Sequence, residues 1–486
     1  VVSDLAFVGV DIGTQSLKAI VTDDELRVIA SASVGYRPHF PQAGWAEQDP
    51  QLWTDALGPA IGRALEQARI TPQAVRALGI AGQLDGCIPT DAAGHALAPC
   101  IVWMDRRATR EIDDIAADLV RQRAGLVLDA SHMAAKIRWF ERNDANASRA
   151  RTWHQPTSYL VERLTGERVF DHGIASTTML YNVRTRTFDP QLLDAFAIDA
   201  ARLPRVDEAG SVAGRLHAAG AELAGLSAGT PVAVGTGDDF SNPLGAGVLD
   251  PGRLACSLGT AEALGAVSAT PVIDDGALVE THGWFGGRSY ISNPGWLSGG
   301  AVTWFCDTFS VESPQVLSQL AATAPMGSDG VTFLPALSGA MAPRWIANAR
   351  GTFHGMTAKH GKAELARAVL EGCACAMRDV ADRLRSLDVP VQSIRLVGGG
   401  ARSTLWASIR ATIANLPVET SGVTDTSPLG AAALAAQAAN GGGLTTPDAG
   451  PFSVIEPRAA DRAAAEAAYA RYRRLFDALA PMYEQP

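Results

Sequence analysis

Cysteine is scarce. Six in 486 residues are too few for the disulfide framework that holds small secreted domains together. Only Cys373 and Cys375 stand close together, and on a helix two steps of about 100° turn them to nearly opposite sides, so both read as core. The nine His are scattered, with no HExxH and no Cys/His set at zinc spacing. Any catalytic metal is therefore expected to be an oxygen-bound ion such as Mg²⁺. Basic clusters are missing too. Lys and Arg number 41 against 51 acidic residues, a net charge of −10, which argues against a nucleic-acid partner. No apolar run approaches the roughly 18–20 residues of a membrane span, and Val1-Val2-Ser3-Asp4 lacks the basic segment that opens a secretory signal. The expectation is a cytoplasmic protein with neither nucleic-acid nor membrane partners.

Apolar bulk and glycine are abundant. The chain is 47% hydrophobic and 19% charged, with 48 Gly, a composition that buries a large core. Its length suits two or three domains at about 100–200 residues each. Ala6–Val10 reads as a strand, Asp11-Ile12-Gly13-Thr14-Gln15-Ser16 as a tight turn, and Leu17–Val21 as a returning strand. Leu52, Trp53, Ala56, Leu57, Ala60, Ile61, Ala64 and Leu65 form a helical stripe, followed by a strand at Val75–Ala81. The opening device recurs about 250 residues later, where Ser257-Leu258-Gly259-Thr260 leads into Ala263–Val267. Later still, Ile394–Val397 runs into Gly398-Gly399-Gly400, with helices expected over 362–387, 403–414 and 429–439 and a last one near 459–480. The predicted fold class is α/β, two duplicated domains divided as 1–245 and 246–486.

Common nucleotide motifs fail on spacing. Gly355 to Gly361-Lys362 has five intervening residues where a Walker loop needs four, and no GxGxxG opens a helix after the first strand. Three Gly turns at strand ends are the better phosphate clamps, since glycine admits close backbone approach and free N–H groups with a hydroxyl bind phosphate oxygens. Asp11, at the end of the first strand, is a candidate to hold the water shell of Mg²⁺; Lys18 either pairs with a phosphate or is solvated. Val232–Asp239 delivers two carboxylates at the end of an apolar strand. Asp238 is the candidate base for a hydroxyl proton, and Asp239 the candidate helix N-cap. Leu84-Asp85 and Trp103-Met104-Asp105 end two further strands and suit a sugar pocket, with a carboxylate for hydroxyls and an indole for a C–H face.

Together these segments resemble the FGGY carbohydrate kinase family, along nearly the whole chain. Gly44–Pro50, Leu78–Gln83, Ala368–Gly372 and Val397–Ser403 look specifically xylulokinase-like. The resemblance implies the ribonuclease-H-like architecture of the actin/hexokinase/Hsp70 type, with an interdomain cleft. It implies ATP and Mg²⁺ as cofactors, with Asp11 and Asp238 toward the metal. Asp238 matches the catalytic base, and Leu84 and Asp85 the sugar-contact pair. Thr14, Gln15, Ser16 and Lys18 match the first phosphate motif, Gly259 and Thr260 the second. Gly299 and Thr303 match further nucleotide contacts, and Gly399, Gly400, Ala401 and Thr404 fall in the adenosine segment. Xylulokinases usually have Met-His where this chain has Leu84-Asp85, and Ser338–Pro343 departs from the family's Gly-Glu-Arg-Thr-Pro. The expected reaction is phosphorylation of a ketopentose, D-xylulose first. Another ketopentose or a polyol is the alternative, and an actin- or Hsp70-like ATPase a more distant one. A homodimer is common among such kinases.

Overall fold

The structure, a computed structural model, describes residues 5–447 and 450–483; Val1-Val2-Ser3-Asp4, on which the secretion reading rests, lies outside them. The described chain forms two units. The first takes the residues up to Leu249, the short stretch Thr281–Ser289 and the segment from Asp425; the second takes Asp250–Glu280, Tyr290–Thr424 and the segment from residue 450.

In the first unit the strands Ala6–Ile12, Ser16–Thr22 and Val28–Gly35 make an antiparallel meander, Val75–Gly82 lies parallel to Ala6–Ile12, Pro231–Ala233 continues in parallel, and Val212–Arg215 closes the edge antiparallel. The second unit repeats this scheme. Gly252–Leu258 pairs antiparallel with Ala261–Ser268 and parallel with Val391–Val397, then Val418–Thr420 follows in parallel and Ser453–Ile455 antiparallel. The recurring Gly-Thr turn is thus one corner of a duplicated sheet.

Side chains alternate across a strand, and that alternation assigns the two faces of the first sheet. Val8, Val10, Leu78 and Ile80 point to one side, where they share a core with Trp53, Leu57, Ile61 and Leu65 of helix Gln51–Ala68. Gly9 and Gly79, paired in register across neighbouring strands, face the other side. There helix Thr426–Asn440 lies directly on the backbone. A β-carbon on Gly9 would come within 1.9 Å of the Pro428 carbonyl oxygen, and one on Gly79 within 1.9 Å of that of Ala431. Helix Asp238–Gly245 packs on the same helix with equal intimacy, a β-carbon on Gly245 meeting the Thr426 carbonyl oxygen at 1.9 Å.

This arrangement differs from the expected division at residue 245. The break along the chain falls at Leu249, but helix Thr426–Asn440, expected with the second domain, is part of the first unit. The backbone of this helix lies on the side-chain-free stripe of Gly9 and Gly79, an approach that no other residue type at those positions would permit. In the second unit, helix Lys362–Ser386 is buried along most of its length. Cys373 and Cys375 are both buried free thiols, the core role expected of them. Among the described residues no helix is long and apolar enough to cross a membrane.

Candidate active site

Strand register gathers the first unit's polar residues at one edge. Ile12 lies beside Gly82, which also pairs with Gly237. Three strand ends therefore emerge together, and each leads into a predicted segment: Gly13-Thr14, Gln83-Leu84-Asp85 and Asp238-Asp239. Leu84 packs over Gly237 so closely that a β-carbon there would lie 2.2 Å from Leu84 Cδ2.

Asp238 and Asp239 are the first two residues of helix Asp238–Gly245, whose N-cap is Gly237. The N-cap role expected of Asp239 is therefore not its position; instead its N–H donates to Asp238 Oδ1 at 3.0 Å. The free N–H groups of a helix start favour carboxylates, yet desolvation dominates here. Burial, then the like charges of Asp239 and Asp11, push Asp238 well above the ordinary carboxylate range. Burial and the charge of Asp85 push Asp239 up to about 6. Asp11 is likewise pushed up to about 6 by burial, against the lowering influence of Ser427 and Lys18, and its Oδ1 is buried without a hydrogen-bond partner.

The loop before Asp238 is clamped. Thr236 donates its hydroxyl to Asp171 Oδ2 at 2.7 Å, and its carbonyl accepts from Thr157 Oγ1 at 3.0 Å. Asp171 is buried and also caps helix His172–Ser176 through the N–H groups of Gly173 and Ile174.

Asp85 is held from below by residues the sequence reading did not single out. Its φ of 58° is left-handed, its N–H donates to Gln155 Oε1 at 2.8 Å, and its carbonyl accepts from Lys136 Nζ. Lys136 is fully buried and donates also to the Val102 carbonyl at 3.0 Å; burial lowers its pKa. His132 Nδ1 sits 3.1 Å from Asp85 Oδ1. One signal was available: His132 is the N-cap of helix Met133–Asn143 and Lys136 follows at the end of its first turn, and Lys136 is among only four lysines in the chain.

Three expectations change. Asp105 is 1% exposed, and its carboxylate is engaged by the Ala46 N–H and by Arg107, with Nε at 3.0 Å and Nη2 at 2.7 Å. The Arg107 side chain is itself buried, bonded to Glu47 at 2.7 Å and stacked 3.7 Å over the Trp45 ring. Asp105 thus frames the loop of residues 44–47 and has no open face for a sugar. Lys18 pairs with Asp425 at 2.8 Å, a partner invisible in the sequence. The Thr14 hydroxyl accepts from Trp103 Nε1 at 3.1 Å and donates to Gln83 Oε1 at 3.4 Å, so it is engaged as donor and acceptor within the first unit. Trp103 remains 43% exposed, and Gln15 is exposed beside Ser16 at the hairpin turn.

The second unit builds its corner in the same way. The N–H of Gly299 donates to the Gly259 carbonyl at 3.2 Å and that of Gly300 to the Thr260 carbonyl at 2.8 Å. A β-carbon on Gly299 would lie 2.2 Å from the Gly259 oxygen, and one on Gly400 would lie 2.4 Å from Leu258 Cγ. Gly259, Thr260, Gly299, Gly399, Gly400 and Ala401 are thereby drawn to one strand edge. Thr303 bonds back to the Gly299 carbonyl at 3.2 Å, and Thr404 opens helix Thr404–Ala414 behind its N-cap Ser403. Thr260, Thr303, Gly399 and Thr404 are exposed.

A family model for the FGGY family of carbohydrate kinases, N-terminal domain, matches residues 6–245, and one for the C-terminal domain matches residues 254–439. The chain belongs to this family. FGGY kinases are ATP-dependent phosphotransferases acting on small carbohydrate acceptors. A glycerol kinase from Thermococcus onnurineus (strain NA1) is 31% identical to this FGGY kinase over 445 residues, 89% of each chain. A xylulose kinase from Escherichia coli (strain K12) is 31% identical over 440 residues, 89% of this chain and 90% of that one. Among solved structures, a "xyloylose kinase" from Brucella ovis superposes with a TM-score of 0.91 at 31% identity, covering 98% of this chain and all of that one. The α/β fold of two similar units is thus the actin/hexokinase-like fold that the sequence suggested.

The residues also fit Mg²⁺. An orphaned buried carboxylate oxygen on Asp11, with carboxylates crowded enough to raise one another's pKa, is relieved by a cation. Among the described residues no three His, Cys, Asp or Glu side chains converge as a metal cage. Mg²⁺ does not need one, since it binds through one or two carboxylates, phosphate oxygens and water.

Proposed function

We propose that this kinase transfers the γ-phosphoryl of ATP to a hydroxyl of a neutral ketopentose, with D-xylulose the favoured acceptor. The observation that carries the reading is the register that brings Asp238, at the head of its helix, beside the Leu84-Asp85 turn. The acceptor lies against Leu84, Asp85 and the exposed face of Trp103, and one hydroxyl reaches Asp238. As the hydroxyl oxygen bonds to the γ-phosphorus, the bond from that phosphorus to the β–γ bridging oxygen breaks. ADP leaves, and the proton passes to the Asp238 carboxylate. A carboxylate whose pKa is raised toward the working pH is the better base for that transfer. Gly259, Thr260, Gly299, Thr303 and the Gly399–Thr404 segment hold the nucleotide. Gln15, Ser16 and the Gly13-Thr14 turn offer donors to its phosphates, the Thr14 hydroxyl once it turns away from Gln83 Oε1. Bound Mg²⁺, held by Asp11 with Asp238 nearby, supplies neutralisation of phosphate charge.

A short polyol is the second reading. A glycerol kinase and a xylulose kinase match at the same identity, and Asp85 offers a pure hydrogen-bond acceptor. Either way the four carboxylates Asp11, Asp85, Asp238 and Asp239 disfavour an anionic acceptor. The test is turnover in a coupled assay across D-xylulose, L-xylulose, D-ribulose, L-ribulose, glycerol, pentitols and gluconate, repeated with Asp85→Ala. We expect D-xylulose to give the highest kcat/KM, gluconate none, and Asp85→Ala to raise the acceptor KM by about 10–100-fold, the loss of a charge-assisted hydrogen bond. Preference for glycerol replaces the first reading with the second; turnover of gluconate overturns both.

A further inference from the structure

The second unit contains an ion pair with no exposure at either end. Arg410 Nη1 donates to Glu262 Oε1 at 2.6 Å and Nη2 to Oε2 at 2.7 Å, both side chains being 0% exposed. Nη2 also lies 3.2 Å from Ser298 Oγ, and Cys256 Sγ lies 3.2 Å from Glu262 Oε1. The rest of the surround is core, with Met377 Sδ 3.2 Å from Nη1.

Stability does not account for this pair. Removing two full charges from water costs more than their attraction returns unless the geometry is excellent, and apolar residues of the same volume are often as stable or more so. What a bidentate guanidinium–carboxylate fork does provide is a fixed distance and angle. The three segments it ties are distinct in sequence. Glu262 follows Thr260 at the start of strand Ala261–Ser268; Ser298 is the N-cap of helix Gly299–Thr308; Arg410 lies on helix Thr404–Ala414. Each carries part of the nucleotide site described above. We propose that Arg410 and Glu262 are positioning residues for the nucleotide, holding the Gly259-Thr260 turn, the start of the Gly299 helix and the Gly399–Thr404 segment at one spacing. The proposal rests on the reading that ATP binds these three segments.

The test replaces the pair by apolar side chains, Glu262→Met with Arg410→Leu in the full chain, and measures thermal unfolding, ATP binding by calorimetry and both Michaelis constants. The expected result is a midpoint at or above that of the unaltered protein, ATP affinity weakened by about 10–100-fold, the scale of one charge-assisted hydrogen bond to phosphate lost, and an acceptor KM within about twofold. Arg410→Lys is the second variant: it keeps one charge contact but loses the fork, so weakened ATP binding with an unchanged acceptor KM is expected again. ATP affinity equal to that of the unaltered protein in either folded variant overturns the proposal. Thr260→Val and Gly399→Leu separate the two levels. If both bind ATP normally, the nucleotide site is misassigned and the proposal falls with it. If both weaken ATP while the Arg410 variants do not, only the positioning role is lost.

Discussion

Asp11→Asn should make the protein more heat-stable at pH 8 while impairing its activity. Burial holds the Asp11 pKa at about 6 against an ordinary 3.8, so the folded state binds the proton more tightly than the unfolded chain does. Stability from that proton is complete below about pH 4 and is lost as pH rises through 6. A shift of about 2 units corresponds to about 3 kcal/mol, stored at neutral pH as an ionised carboxylate with an unbonded oxygen. Asparagine resembles the protonated acid at every pH and removes that penalty. A unit of about 280 residues unfolds with an entropy of about 0.6 kcal/mol/K, so relief of about 3 kcal/mol raises the midpoint by about 5 °C. An amide that finds no partner for its N–H groups subtracts from this at all pH values alike. The decisive quantity is therefore the variant's midpoint shift at pH 8 minus its shift at pH 4.5, read by scanning calorimetry and expected to be about 3 °C, since about 2 kcal/mol of the penalty develops between those two pH values. Adding Mg²⁺ to ADP should raise the midpoint of the unaltered protein beyond that with ADP alone, and add little in the variant. A shift that is the same at both pH values, or more negative at pH 8, refutes the picture of a strained carboxylate waiting for a cation.

Asp238→Ala should reduce kcat by about 10²–10⁴-fold, the usual contribution of a positioned base, with ATP affinity by calorimetry nearly unchanged; near-normal turnover removes Asp238 from that role. Gly79→Ala should destabilise by about 1–3 kcal/mol or more, the overpacking range, because its β-carbon meets the Ala431 carbonyl at 1.9 Å. Denaturant unfolding checks it, and an unchanged midpoint means that helix Thr426–Asn440 is not seated as described.

Much of the architecture was legible because it is local. The Asp11–Thr14 and Ser257–Thr260 corners are each a strand, a glycine and a hydroxyl within a few residues, and the stripe from Trp53 to Leu65 follows helical spacing. The placement of Asp238 was legible for the same reason, as a charge delivered by an apolar strand to the head of a helix. Harder were residues whose meaning lies in a distant partner. Lys18 meets Asp425, 407 positions away. Asp105 looked like a sugar ligand until Ala46 and Arg107 were found on both of its oxygens. His132 and Lys136 carry no motif, and only the left-handed turn at Asp85 gives them work.

By itself, then, the order of residues dictated the elements, the duplicated corners and the kind of chemistry they suit, since all three depend on neighbours a few positions apart. Tertiary packing decided which unit claims helix Thr426–Asn440, which carboxylates are spent on structure and which stay strained. Those outcomes depend on burial and on charges brought together from hundreds of residues away, and desolvation exists only once the chain has folded.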